Sequence, residues 1–588
     1  VTIRLKPNTT MKKQINRIKL RIFATLFTCL GVVSSCQDSF LDRPNPNVLD
    51  PSVFPTRFDD LDLMLIDLYG RLRTGYYNSD SYRRVGVLLD NSADQGYNGS
   101  EFNEFGTKTL LPSTGTVGYL WTTSYEAIAR CNSFLSAVAQ FQSGGSIISD
   151  DQKRQLRWME GQARFIRAIH YFFLVNCYGE SMITSAADRS KMGVPLRTEV
   201  ASQINDSNLK RATVGENWDL IVSDLEKANA LLQGKTWDDA NKARVDTWAA
   251  KSFLGKAYVF TQQWQKARDT LRVVVETSGK KLVPYNILRN MFNGRNKFNS
   301  ESIFEINFTP DTRDVWNQQI NTSTQHGVFI SPTFVDANGV EQTNGFGNLF
   351  IHDQNILRYG FADTTAVNQR RPDYIAFSRQ VRSDKSADPR LYVTTLQPFV
   401  DSLVIDGVSR VVGKNRAEGF DLRRKKAWCH RKYVVVDRNV WAGDGPALAT
   451  NMYFLRLADV YLLYAEAHLN GGNQTTALEY IKKVHRRAYD VPVDAPSQFD
   501  YASLTARTKA AASDHLANNP LRYERWAEFV CEGQWWFDVC RWRIGAQESS
   551  YYQAVMSGPI NWNDNKYAMP IPEAERLNNT LITQNPGY

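Results

Sequence analysis

Leu254-Gly255-Lys256-Ala257-Tyr258, with Trp264, Ala267 and Leu271 behind it, has the spacing of two short helices folded back on each other. Small residues such as Gly255 and Ala267 let paired helix backbones approach closely. A second, looser copy runs through Tyr461, Tyr464-Ala465, Gly472, Ala477, Ile481 and Val484. There Ala465 stands where the first copy has Gly255, and His468 where it has Tyr258.

This is the spacing of tetratricopeptide repeats, and it predicts a mostly α fold built on a tetratricopeptide-like helical scaffold. Two hairpins so far apart imply repeats interrupted by an insertion. Residues 282–450 supply it: Gly, Asn, Asp and Pro are frequent there, and runs such as Ile303-Phe304-Glu305-Ile306-Asn307-Phe308 and Tyr433-Val434-Val435-Val436 alternate as strands do. The expected organisation is a helical region over 58–281, a loop-rich, partly β, ligand-binding insertion over 282–450, and a C-terminal helical region over 451–588. Within the first region, Leu61, Leu65, Leu68 and Leu72 share a helix face. Residues 76–118 read as a long loop. A helix follows from Trp121, and another, capped by Asp150 or Asp151, buries Ala163, Ile166, Ile169, Phe173 and Cys177 and ends at Gly179. A further helix covers residues 215–232, with Trp218, Ile221, Leu225 and Ala228 inward.

Residues 1–35 read as an upstream extension and a secretory signal. From Met11, basic residues precede an apolar run from Ile22 to Val33 that stops at Val33-Ser34-Ser35-Cys36. The run is shorter than the roughly 20 residues a membrane-crossing helix needs. A cysteine after the small pair is the place for a lipid, so Cys36 is the expected lipidated first residue of the mature chain. Residues 36–57, with Pro44-Asn45-Pro46-Asn47, form a tether. The localisation expected is a lipid-anchored, surface-exposed protein of the cell outer membrane.

The leader also carries the basic excess. Arg4, Lys6, Lys12, Lys13, Arg17, Lys19 and Arg21 lie in residues 1–35 with no acidic residue, so its removal lowers the formal charge from +9 to about +2. Without a surviving basic surface, no nucleic-acid partner is expected. The cysteines left after the leader and Cys36 are Cys131, Cys177, Cys429, Cys531 and Cys540, an odd, scattered set without a CxxC pair. They suit small buried hydrophobes better than disulfides or zinc, and neither a metal nor a cofactor is expected. Aromatic residues make up 12% of the chain, with 14 Trp, a surplus that serves a core and also suits stacking on apolar ligand faces.

Several segments together resemble the SusD/RagB family of outer-membrane nutrient-binding lipoproteins. They are the lipobox with Phe40-Leu41-Asp42; Glu160-Gly161-Gln162-Ala163-Arg164-Phe165-Ile166-Arg167-Ala168 with Tyr171-Phe172 and Tyr178-Gly179; Trp218-Asp219 with Ile221 and Asp224-Leu225; the Arg244 to Ala267 repeat; and Arg456-Leu457-Ala458-Asp459-Val460-Tyr461-Leu462-Leu463-Tyr464-Ala465-Glu466-Ala467. Glu524-Arg525-Trp526, Glu528-Phe529, Glu532-Gly533, Phe537-Asp538, Arg541-Trp542, Pro570-Ile571-Pro572 and Gln584-Asn585-Pro586-Gly587-Tyr588 complete the pattern. Asp459 stands where the family often has Glu, and Val530-Cys531 replaces an Ala-Phe pair. The resemblance implies a SusD-like fold and non-catalytic capture of a nutrient, most simply an oligosaccharide. It also implies a SusC-like TonB-dependent transporter as partner.

Two kinds of site follow. Glu524, Glu528 and Glu532, spaced i, i+4, i+8 among Arg522, Arg525 and Arg541, could suggest a hydrolytic carboxylate pair, but read better as an ion-pair network locking the C-terminal helices. Glu160, Arg164 and Arg167 read the same way. Ligand contact is expected instead from loop aromatics with polar neighbours, since a sugar's C–H face stacks on a ring while its hydroxyls need polar groups beside it. In the first loop region these are Tyr76, Tyr77, Arg83, Asp94, Tyr97 and Asn98, with Tyr82 among them, and in the insertion Phe292, Trp316 and Trp441. The resemblance places ligand contacts in the same two regions. The rival functions are a surface glycoside hydrolase and a protein-binding adhesion or assembly lipoprotein.

Overall fold

A computed structural model describes residues 55–73, 81–95, 103–143, 148–201, 208–309, 331, 333–335, 340–343, 349–362, 372–405, 407–412, 428–434, 450–556 and 558–588. Cys36 and most of the tether lie outside them.

Antiparallel helices stacked side by side form the scaffold. After α1 (Phe58–Arg71) and α2 (Ser81–Leu89) come the strand β1 (Ala93–Gln95), α3 (Asn103–Thr107), and two long helices, α4 (Gly115–Ser143) and α5 (Asp150–Tyr178). Then follow α6 (Val214–Leu231), α7 (Thr247–Phe260) and α8 (Trp264–Thr277). Residues 76–118 are thus not one loop. The apolar side of α2 is committed to the interior through Val85, Val87, Leu88 and Leu89, a face too short for periodicity to reveal. The cap of α5 is Ser149, not an aspartate: its hydroxyl accepts from Gln152 N–H while the Gln152 side chain accepts from Ser149 N–H. Asp150 and Asp151 occupy the first turn, where their charge opposes the helix dipole favourably. Thr213 and Glu216 build the same box at the start of α6.

The predicted hairpins are α7–α8 and α11–α12, with α11 spanning Leu457–Leu469 and α12 Gln474–Ala488. They are neighbours in space. α11 packs on both α7 and α8, so the stack runs α4, α5, α6, α7, α8, α11, α12 and continues to α13 (Pro520–Phe529). The insertion leaves and returns at one point, because β2 (Ser302–Ile306) pairs antiparallel with β10 (Met452–Arg456). The insertion carries the helices α9 (Asp353–Arg358) and α10 (Pro372–Asp384), and among its described strands β3 (Thr333–Val335) pairs with β4 (Glu341–Thr343), β6 (Thr395–Leu396) with β9 (Cys429–His430), and β7 (Ser402–Ile405) with β8 (Val408–Val411). Tyr433 and Val434 were expected in a strand but lie in a turn with Tyr433 at φ +65°. The turn carries Lys432 to Glu532, which accepts from its ammonium at 2.8 Å.

Aromatic rings weld the stack. Phe172 of α5 meets Trp218, Phe253 and Phe260 of α6 and α7 at centroid distances of 5.8, 5.5 and 5.2 Å, and Phe454 of β10 meets Phe253 at 5.1 Å. Much of the aromatic surplus is therefore core. The five cysteines outside the leader and lipobox, Cys131, Cys177, Cys429, Cys531 and Cys540, are free and buried. No helix among the described residues is long and apolar enough to cross a membrane.

Candidate functional site and family relationship

The two regions expected to touch ligand meet in backbone. β1 pairs antiparallel with β5 (Leu349–Ile351), setting Ala93 opposite Ile351, Asp94 opposite Phe350 and Gln95 opposite Leu349. A segment of the first region and a segment of the insertion, some 256 residues apart by numbering, therefore share one ladder.

The floor under that ladder is polar and buried. Asn91 leaves α2 at φ +56° and gives its side-chain amide to Gly106 O at 3.1 Å. Asp90 accepts from Ser92 N–H at 2.8 Å, and Asn355 donates to Ser92 O at 2.6 Å while accepting from Tyr552 OH at 2.7 Å. Lys108 caps the carbonyls of Leu89 and Phe105. Burial pushes the Lys108 ammonium down to about 7, against the pull of Asp90, and the same burial pushes the Asp90 carboxyl up to about 7. Behind them Arg358 holds Asp514 at 2.7 Å and Glu548 at 2.9 Å, with Trp535 donating to Glu548 at 2.9 Å. Gly86 abuts Gly533 so closely that a Cβ would sit 2.5 Å from the Gly533 carbonyl oxygen.

Asp94 lies in β1 and Arg83 in α2; for both, the backbone is described. Tyr76, Tyr77, Tyr97, Asn98, Trp316 and Trp441 lie outside the described residues. Phe292 does not suit the role expected of it. It is 2% exposed, and its ring packs on Tyr433 at 5.2 Å and Tyr453 at 5.6 Å, so the protein itself occupies the faces a ligand would need. Tyr82 is half-buried, with one ring face stacked on Phe173 at 4.1 Å and 11°.

The glutamates are locked, as an ion-pair network requires. Glu524, Glu528 and Glu532 are 0, 2 and 4% exposed. Their partners come from the insertion, β10 and the second hairpin: Arg390 and His485 for Glu524 (2.7 and 2.8 Å), Arg456 (2.6 Å) and Arg487 for Glu528, Arg456 and Lys432 for Glu532 (both 2.8 Å). The expected neighbours Arg525 and Arg541 pair elsewhere, with Asp459, Asp538 and Glu466. Glu532 also lies beyond the end of α13, past Cys531 at φ +65°. Burial opposes ionisation of Glu524, but Arg390 and His485 outweigh it and hold the carboxyl at about 2. Asp388, His485 and Glu524 bring ligand-type atoms within 4.8 Å of one another, yet Arg390 donates to both carboxylates and fills the cation's role. Arg167 and Arg164 meet Asp224 at 2.8 and 3.0 Å, the inter-helix network expected there.

Known proteins share this architecture. The family model described as "SusD family" matches residues 300–588, and one described as "Starch-binding associating with outer membrane" matches residues 39–259. A SusD-like protein of Bacteroides ovatus is 24% identical over 89% of this chain and 82% of its own. SusD-like protein P25 of Formosa agariphila is 24% identical over 81% and 82%. Among solved structures, a SusD-like protein from Bacteroides fragilis superposes with a TM-score of 0.68 at 20% identity, over 93% of this chain and all of that one. A laminarin binding SusD-like protein gives 0.62 at 20% identity over 90% and 99%, and surface glycan-binding protein A from Bacteroides fluxus 0.66 at 19% over 91% and 100%. With both halves matched and the helical stack in common, the chain belongs to the SusD/RagB family.

Proposed function

We propose that this protein is a cell-surface glycan-binding lipoprotein, anchored through an acylated Cys36, that captures an oligosaccharide without chemistry and delivers it to a SusC-like TonB-dependent transporter. The observation that carries the reading is the ladder between Asp94 and Phe350, which joins the two predicted ligand regions above a buried polar floor. Loops held on a rigid scaffold are where recognition usually sits. Relatives named for laminarin binding and surface glycan binding support a sugar as cargo. The burial of Glu524, Glu528 and Glu532 in ion pairs supports capture over hydrolysis, since a carboxylate that cannot meet substrate cannot protonate a leaving group.

The test is a glycan array with the purified mature chain, followed by calorimetry on the hits and chromatography of the recovered glycan. Binding with the glycan returned intact is expected. Shortened products would replace capture with hydrolysis, and a protein ligand without sugar affinity would replace it with adhesion. Co-purification of a TonB-dependent barrel from detergent-extracted membranes tests the delivery step.

A further inference from the structure

Between the two repeat hairpins and the C-terminal helices runs a row of alternating charges. Lys256 meets Asp459 at 2.9 Å, Asp459 meets Arg525 at 3.0 Å, and Arg525 meets Asp538 at 2.6 Å. Asp538 then meets Arg541 at 2.8 Å, and Arg541 grips Glu466 with both terminal nitrogens, Nη2 at 2.6 Å. Three cations and three carboxylates neutralise one another. Arg522, in the first turn of α13, stands beside the end of this row: among the described residues no hydrogen bond or ion pair holds its guanidinium, which lies over the Trp542 ring at 5.2 Å and feels the charge of Glu466 only at longer range. The Trp542 indole N–H is committed to Glu466 at 2.9 Å, so Glu466 is already satisfied by two donors.

Arg522 faces a cavity of about 200 Å³ where the ends of α7, α11, α13 and α14 (Trp535–Arg541) meet. Trp264 and Trp542, both half-buried, stand in its wall with the bonded pair Arg541–Glu466, so that Arg522 leaves the lining with a net positive charge; Asn470, whose Nδ2 donates to Glu466 O, and Asn519, whose Oδ1 caps Arg522 N–H, add their remaining amide atoms. An unpaired guanidinium, indole rings and amides are the groups that a ring bearing hydroxyls and a carboxylate would engage. We propose that this pocket binds a uronate residue of an acidic glycan, with Arg522 on the sugar carboxylate and Trp264 against the ring face. The proposal rests on the glycan-binding reading above and specifies its cargo.

Calorimetry with the full mature chain tests it, using trisaccharides of galacturonate, glucuronate and mannuronate and the methyl ester of the galacturonate trimer as probes. At least one acid should bind. Neutralising its carboxylate as the methyl ester should weaken binding about tenfold or more, because a charge-assisted pair is lost. Arg522→Gln should give a similar loss, Arg522→Lys a smaller one, and Trp264→Ala should weaken the same ligand while near-ultraviolet circular dichroism stays native. Equal binding of acid and ester, or wild-type affinity in both Arg522→Gln and Trp264→Ala, would overturn the assignment. So would equal competition by a short acidic peptide. If neutral glycans bind and none of the three acids does, the pocket assignment fails while glycan capture stands.

Discussion

A Cβ added to Gly255 would lie 2.2 Å from Cδ2 and 2.6 Å from Cγ of Leu271, across the α7–α8 hairpin. Leu271 is fully buried, so its side chain could yield only by shifting within a close-packed core. Gly255→Ala should therefore destabilise the protein even though alanine is the better helix former by about 1 kcal/mol. Overpacking of this kind costs about 1–3 kcal/mol, so a small net loss in denaturant midpoint is expected, and pairing the change with Leu271→Ala should relieve the clash. A Gly255→Ala variant more stable than wild type would contradict the close approach.

Arg456 and Glu528 make the second test. Both are buried, 2.6 Å apart, and Arg456 also serves Glu301 and Glu532. Removing one partner strands a charge in the interior, so Glu528→Gln and Arg456→Met should each lose about 3–5 kcal/mol of unfolding free energy. Urea titration followed by tryptophan fluorescence reads the loss. The exposed pair Arg154–Asp151 should contribute within about 1 kcal/mol when broken.

Acid should loosen the same lattice. Burial opposes ionisation of Glu548, but Arg358 and His515 outweigh it and hold the carboxyl at about 2, as Arg390 and His485 do for Glu524. A carboxyl depressed on folding contributes stability that is complete above the unfolded value of about 4.3 and vanishes as pH falls through the folded value. The contribution is on the order of 3 kcal/mol per group. Thermal midpoints should drop steeply between about pH 4.3 and 2; a flat profile there would dismiss the carboxylates as stabilisers.

Replacing Cys36 by Ala should leave the body folded and release it from the membrane, since each buried CH₂ of an acyl chain contributes roughly 0.8 kcal/mol of anchoring. Fractionation with a band unchanged in the membrane pellet would reject the lipid anchor.

Ligand affinity and stability should separate along the aromatics. Tyr97→Ala or Trp316→Ala should weaken glycan binding by about 0.5–1.5 kcal/mol for each lost stack without unfolding. Phe292→Ala should lower stability by about 3–5 kcal/mol, as a buried ring leaves a cavity. Unaltered affinity in both Tyr97→Ala and Trp316→Ala would move the site elsewhere.

The helices, the hairpin around Gly255 and the identity of the family were legible in the chain because helical periodicity and small-residue spacing are local, and a helix announces its buried face every three or four residues. The insertion shows in the chain through its composition and short strand-like runs, and the run from Tyr433 reads as a strand where the chain turns because so short an apolar run does not separate the two. Exposure of an aromatic depends on what folds over it, so Phe292 and Tyr82 looked like loop rings and proved to be packed ones. Which cations neutralise Glu524, Glu528 and Glu532 was settled by tertiary structure: Arg390, Lys432 and Arg456 lie 134, 100 and 72 residues from the glutamates they meet, because buried charges must find partners wherever the chain brings them. The same long-range packing gave Glu466 to Arg541 rather than to Arg522 and set Asp94 opposite Phe350, two outcomes that no spacing along the chain could have announced.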